Sequence, residues 1–580
     1  MDNSTPRIRI GTVDEIKQQG AVVVSGRDRP LAVFYHQDQI YAVDNRCPHM
    51  GFPLHRGTPQ DGILTCHWHH ARFDLDSGCT FDLWADDIPS YPVQIDEGTV
   101  WVVMAPQASD GLERWQRRLR EGMEQNIRLV QAKAVIGLLD SGAALADLLA
   151  QVGLYGVQQR QAGWSSGLTI LTAMGNLLSL LPPEERIEPL CQGVLHVARD
   201  CDDEPPQILL QPLSTDTVPL STLKRWLRRW VEVRDRNGAE RCVLTALKLG
   251  TSPETMNDML MAAATDHFYL DVGHTLDFIN KSFELLEHIG WDHASTVLPS
   301  VLVHLTAAER SEERNAWRHP VDLVPLVRDA FAALPDLLEE GQDKQWQDLD
   351  TLVESLLSDC PQAIIAALCD SLRGGAMALQ LARALVMAAC RRVVQFHTHN
   401  EFSDWNAVHH TFTYSHALYQ AMKRTASPEM LRGVFHGAMR VYLDRFLNVP
   451  PAPLPMLSES AQPFGNAEEF SQRFLTLLDT QQQVDAADEM VYRYLSAGYP
   501  ADRLYRTLVT ALVREDAGFH SFQMVEAAIE QHRELGDTPA GHLMLVAAAR
   551  FLAAHAPTQR ERLQTTTIAH RLHRGETLYE

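Results

Sequence analysis

Apolar and polar positions are arranged in two ways along this chain, and the change comes after about one hundred residues. Over 7–106 short apolar runs alternate with polar turns, as at 21–26, 31–36 and 40–45, which predicts half-buried β-strands. Two further runs, 91–96 and 99–104, are joined by Glu97-Gly98 and predict a closing hairpin. From about residue 112 Leu, Ala, Met and Arg dominate, and apolar residues recur three and four apart at 134–152, 167–180, 256–289 and 377–396. That period predicts helices. Proline-rich stretches near 204–219 and 449–463 mark long connections, and no fixed-period repeat is evident. The expected architecture is multidomain: an all-β domain at 1–106, a large His-rich all-α domain at 107–448, a Pro-rich connection at 449–467 and a C-terminal helical subdomain at 468–580.

Composition narrows the function. With 45% hydrophobic and 22% charged residues in 580, the chain should fold throughout. A formal charge of −23 argues against a nucleic-acid or anionic-lipid surface, since such binding rests on clustered Lys and Arg. The one dense basic run, Lys224, Arg225, Arg228 and Arg229 around Trp226 and Trp230, is read as the wet side of an amphipathic helix, with a binding face as the alternative. Without an apolar leader or a stretch near eighteen apolar residues, the expectation is a cytoplasmic protein with no membrane partner. Nine scattered cysteines do not form a secreted disulfide framework.

Two of those cysteines sit in matching clips. Cys47-Pro-His49-Met-Gly51 and Cys66-His-Trp-His69 place one thiol and one imidazole on each of two loops. Mixed thiolate and imidazole ligation suits a 2Fe–2S cluster with two Cys on one iron and two His on the other, and such a donor set also suits tetrahedral zinc. The flanking residues decide for the cluster: through Cys47-Pro-His-x-Gly51, Leu54, Gly57, Cys66-x-x-His69, Phe73-Asp-Leu and Ser77-Gly78 the segment resembles the Rieske family, in its soluble ferredoxin and nitrite-reductase small-subunit-like branch. The resemblance implies that Cys47, His49, Cys66 and His69 hold the cluster. It departs from the pattern at His70 and Ala71, where Gly and a small polar residue are usual. Phe52, Trp68 and Ala71 stand where high-potential relatives carry a disulfide and a Ser bonded to sulfide, so the potential should lie low in the Rieske range.

The helical part is rich in histidine. His267, Asp271 and His274 fall at i, i+4 and i+7 and are expected on one face of one helix; His409, Thr413, His416 and Gln420 form a similar stripe on another. Histidines i and i+7 lie about 10.5 Å apart along a helix axis, too far to clip one ion. Three readings of His267, His274, His409 and His416 stay open: a second metal or haem site, a pocket of acids and bases, or hydrogen-bonded core residues. His397, His399 and Glu401, and the pair Asp516 and His520, are weaker candidates. Ring-hydroxylating Rieske oxygenases have an α/β catalytic domain whose His-x4-His pair does not occur here, so their iron ligands are not carried over. The segments 267–290 and 409–422 faintly resemble the questin oxidase-like family, helical proteins linked to oxygen insertion.

The preferred reading is an iron–sulfur oxidoreductase, with a monooxygenase as one form, in which the cluster passes single electrons to a helical domain acting on a small organic substrate. The donor would be a partner such as a ferredoxin reductase, and homo-oligomers stay open. The rival is a redox-sensing or regulatory protein with the helical body as scaffold.

Overall fold

In the computed structural model the described residues are 6–26, 29–105, 111–215, 217–401, 403–456, 464–574, 576 and 578. Alternation in the first hundred residues produces β1 (Arg7–Thr12), a short helix α1 (Val13–Gln19), β2 (Ala21–Ser25), β3 (Pro30–His36), β4 (Gln39–Asp44), β5 (Thr58–Gln60), β6 (Ile63–Thr65), β7 (Arg72–Asp74), β8 (Ser90–Tyr91), β9 (Val93–Asp96) and β10 (Thr99–Val103). They form three antiparallel sheets ordered β1-β10-β9, β2-β3-β4-β8 and β5-β6-β7. Three hairpins close through two residues that both have positive φ: Gln37-Asp38, Asp61-Gly62 and Glu97-Gly98. Such turns match the right-handed twist of the strands they join. The predicted closing hairpin is the last of these. One apolar core, with Phe34, Val43, Leu54, Leu64, Phe73 and Ile88, also contains Cys47 and Cys66.

By its contacts the chain divides into Met1–Leu148 with Glu561–Glu580, and Leu149–Arg560. The first unit therefore extends past the β-domain boundary expected at 106. It takes in α2 (Gly111–Glu124) and α3 (Arg128–Asp140), and the last helix, Glu561–His573, returns to pack on α3. Gly137 lets the helices approach, because a Cβ there would lie 2.2 Å from the Trp115 ring. Two buried cations on α2 and α3 reach into the β-domain: Arg118 donates to the Leu83 and Ala85 carbonyls, and Lys133 to Asp86 at 2.9 Å and the Pro48 carbonyl.

The second unit is all-α among the described residues. Its elements that matter here are α4 (Ser166–Leu177), α5 (Pro253–Thr265), α6 (His274–Ile289), α7 (Trp405–Arg424), α8 (Leu431–Asp444), α9 (Phe519–Leu535) and α10 (Pro539–His555). The stretch 449–467 falls inside this unit rather than dividing it, and 457–463 of it lies outside the described residues. The basic run lies on the helix Leu220–Glu232, which buries Leu223, Leu227 and Val231. Lys224 is bound to Asp258 at 2.7 Å and Arg228 to Asp266 at 2.6 Å, while Arg225, Trp226 and Arg229 are exposed. Among the described residues no helix is long and apolar enough to cross a membrane.

The run 256–289 is two helices, not one. Helix α5 stops at Thr265, and Tyr269, Asp271, Val272 and Gly273 have φ of 43°, 45°, 50° and 101°. Asp271 accepts from the Glu309 amide and the Thr275 hydroxyl, stabilising the break. A Cβ on Gly273 would lie 3.1 Å from Tyr414 Cβ, so the close approach suits glycine. The expected single-helix face of His267, Asp271 and His274 is thereby corrected.

Candidate functional sites

The Cys47-x-His49 and Cys66-x-x-His69 clips occupy loops of the same construction. In the first, the Cys47 amide donates to the Phe52 carbonyl (2.8 Å) and the Gly51 amide to the Cys47 carbonyl (2.7 Å). In the second, the Cys66 amide donates to Ala71 (2.8 Å) and the His70 amide to Cys66 (3.0 Å). Gly51 and His70, each four residues after its cysteine, both have positive φ, 90° and 63°. His70 thus adopts the conformation that glycine ordinarily supplies at the matching place, at a cost of roughly 1–2 kcal/mol.

These loops bring the four expected ligands together. Both sulfurs are buried; the His49 and His69 rings meet edge to face at 4.8 Å, and Trp84 packs against His49 at 4.6 Å. The Cys47 thiol is pushed up by its hydrogen bond to Cys66 and by burial, while Cys66, accepting that bond and amides from Trp68 and His69, falls to about 6. Burial, then His69 and Lys133, lower His49 to about 4, and its buried Nδ1 has no hydrogen-bond partner. Paired thiols supplied with amide donors beside an orphaned imidazole nitrogen fit the Cys2His2 ligation of a 2Fe–2S cluster. Between the loops Phe52 and Trp68 lie 6.0 Å apart, an aromatic contact at the positions a disulfide takes in high-potential relatives.

In the second unit the four histidines singled out from sequence part company. His267 is held between Glu312 Oε1 (3.0 Å) and Glu232 Oε2 (3.1 Å). His274 opens α6, and there its ring meets His410 of α7 at 4.5 Å and His520 of α9 at 5.5 Å. Ring nitrogens of His274, His410 and His520 lie within 4.8 Å of one another, with His410 Nε2 and His520 Nε2 at 3.0 Å. His409, fully buried, sits 4.9 Å from His520, and neither of its ring nitrogens has a hydrogen-bond partner. Burial lowers His274 to about 4 and His520 to about 3, so these imidazoles are neutral. His416 belongs to a neighbouring layer, bonded through Nδ1 to Gln531 at 3.0 Å.

His410 therefore takes the place expected of its neighbour, and His520, a weak candidate by sequence, is central. The vicinal His409-His410 pair was the available signal: adjacent helical residues point about 100° apart, so both can face a site only when it lies between them. Asp516 precedes α9 and donates its amide to the Thr558 hydroxyl. The His397 and His399 rings lie 3.9 Å apart, tilted by 38°, in the loop before α7.

Comparison with known proteins matches residues 7–92 to the Rieske [2Fe-2S] domain. A human Rieske domain-containing protein is 34% identical over 73 residues, 12% of this chain and 46% of that protein. The ferredoxin subunit of a 3-phenylpropionate/cinnamic acid dioxygenase from Photorhabdus laumondii is 30% identical over 98 residues, 17% of this chain and 92% of the relative. Human apoptosis-inducing factor 3 is 26% identical over 175 residues, 30% of this chain and 25% of the relative. The chain thus spans less than half the length of either human protein.

Proposed function

Because the chain belongs to the Rieske [2Fe-2S] family through residues 7–92, we propose that it is an oxidoreductase in which single electrons entering at the N-terminal domain serve oxidation of a small organic substrate in the helical region. When bound, the cluster supplies one-electron transfer, and Cys47, His49, Cys66 and His69 hold it. The electron donor in this reading is a ferredoxin reductase, and a monooxygenase is the specific form favoured.

The observation that carries the reading is the imidazole cluster of His274, His410 and His520. Two nitrogens bound to one ion at about 2.0–2.1 Å lie roughly 3 Å apart, and His410 and His520 already stand at 3.0 Å. Three converging imidazoles suit a non-haem metal better than haem, whose macrocycle leaves only the axial positions to protein ligands. The orphaned nitrogens of His409 support a polar occupant beside them, because buried polar groups are ordinarily paired. In this proposal His274, His409, His410 and His520 form the reaction site, while His267, bridged to two glutamates, has a structural part.

Metal analysis of the full-length protein tests it. Iron in excess of the cluster's own should be present and should be lost in His520→Ala, with the rhombic electron-resonance signal of the reduced cluster intact. In Cys66→Ser that signal should vanish instead. Iron that matches the cluster alone in both wild type and His520→Ala would overturn the second site and favour the sensor reading.

A further inference from the structure

His274 is the first residue of α6, so the backbone just before it sets where its ring lies. Tyr269, Asp271 and Val272 have φ/ψ of 43°/58°, 45°/52° and 50°/26°. L residues avoid these left-handed conformations, and β-branched Val272 does so most of all. Gly273 follows at φ of 101°. A connection under no other demand is made at less cost with Gly or Asn. A path of this kind persists only where surrounding contacts over-determine it.

Those contacts come from residues 309–312, which follow the helix Ala294–Ala307. The Asp271 amide donates to the Glu309 carbonyl and the Ser311 amide to the Phe268 carbonyl, each at 3.0 Å. Side chains double the strap: the Glu309 amide donates to Asp271 Oδ1 at 2.8 Å, and the buried Ser311 hydroxyl to the Tyr269 carbonyl at 3.1 Å. Glu312 takes the Phe268 amide at 2.8 Å and His267 Nδ1 at 3.0 Å, which gives His267 its part in the strap. Asp271 also reaches forward, where its Oδ2 accepts the Thr275 hydroxyl at 3.1 Å, one residue beyond His274. On the other side the Tyr269 ring meets Tyr414 at 4.8 Å, and Tyr414 lies one turn beyond His410 on α7.

We infer that Asp271 is a positioning residue for the imidazole cluster. Its carboxylate ties residues 309–312 to the first turn of α6 and so holds the left-handed path that presents His274 to His410 and His520. The inference deepens the proposed function and rests on it for the metal. Both carboxylate oxygens are taken by donors of this chain, so Asp271 acts through hydrogen bonds rather than as a ligand or a free charge. His410 and His520 stand on other helices and do not depend on this path.

Release of the iron held beyond the cluster's own, from full-length protein to a ferrous chelator, tests this role without any assay of turnover. The visible absorbance of the cluster follows its own iron separately. Asp271→Ala should release the second iron faster than wild type by about tenfold or more, the usual effect of removing a residue that orients a ligand. Asp271→Asn should restore slow release, because its amide oxygen still accepts from Glu309, its amide nitrogen can bond Thr275, and Asn enters the left-handed region readily. In a His274→Ala background Asp271→Ala should add nothing, whereas general loosening would speed release there too. If His274→Ala holds no second iron, the contrast between Ala and Asn at position 271 decides alone. If Asp271→Ala does not fold, Ser311→Ala opens the same strap and should act in the same direction. Unchanged release in Asp271→Ala, or release from Asp271→Asn as fast as from Asp271→Ala, would overturn the inference while leaving the proposed function standing. Wild-type protein without a second iron would overturn both.

Discussion

At the scale of single residues, the cluster loops are governed by backbone conformation and by what surrounds the sulfurs. Gly51 has φ of 90°, which a side chain disfavours. Gly51→Ala should therefore destabilise the β-domain by about 1–2 kcal/mol, seen as a lower melting temperature of the iron–sulfur absorbance. His70→Gly should be neutral or mildly stabilising, since relief of a left-handed histidine offsets the added chain entropy of glycine. An equal loss in both variants would contradict the equivalence of the two loops. Ala71 has no hydroxyl to offer sulfide, and Phe52 meets Trp68 without a disulfide. Less stabilisation of the reduced state follows, and a redox titration should place the potential toward the low end of the Rieske range, about −150 mV. A value near +300 mV, its upper end, would refute this account.

Among the elements, helix α8 buries His436 against Phe268 at 4.7 Å, with Phe331 at 5.4 Å and its Nε2 without a partner. Burial lowers His436 to about 3; Glu312 pulls the other way, with Arg432 and His267 reinforcing burial. Below the ordinary histidine value near 6.5 the unfolded chain binds a proton that the folded one refuses. Stability is thus present above about 6.5 and is lost as pH falls toward 3, by about 1.4 kcal/mol per pH unit for this group. Asp277 and Glu526, raised by burial, act in the opposite direction over part of that window, so the check is a difference. Urea midpoints measured between pH 6.5 and 4 should fall less steeply for His436→Gln than for wild type. Parallel pH profiles would show that His436 is not buried neutral.

For the whole molecule, the last helix completes the unit that carries the cluster. Glu561–His573 buries Thr566, Ala569 and Leu572, and His573 reaches Asp140 at 2.6 Å. Deleting 561–580 should cost the first unit about 2–3 kcal/mol, the burial of one large and one small apolar side chain. Cluster absorbance should be lost at lower temperature while far-ultraviolet helicity, carried mostly by the second unit, melts as before. An unchanged melting point of the cluster absorbance would mean that the helix adds nothing to that unit.

What the sequence by itself determined is local. The four proposed ligands lie within two short clips, hairpins are written in two-residue turns, and the change from alternation to helical period marks where strands give way to helices; each is set by neighbours a few residues apart. The structure alone decided what distant segments share. His410 and His520 are 110 residues apart, and their approach at 3.0 Å depends on how helices α7 and α9 pack. The same packing separated His267 and His416 from His274, because periodicity cannot reveal a helix broken by Asp271, Val272 and Gly273. It also returned residues 561–573 to the N-terminal unit, since the face a helix buries is legible in sequence, but its partner is chosen only when the whole chain has folded.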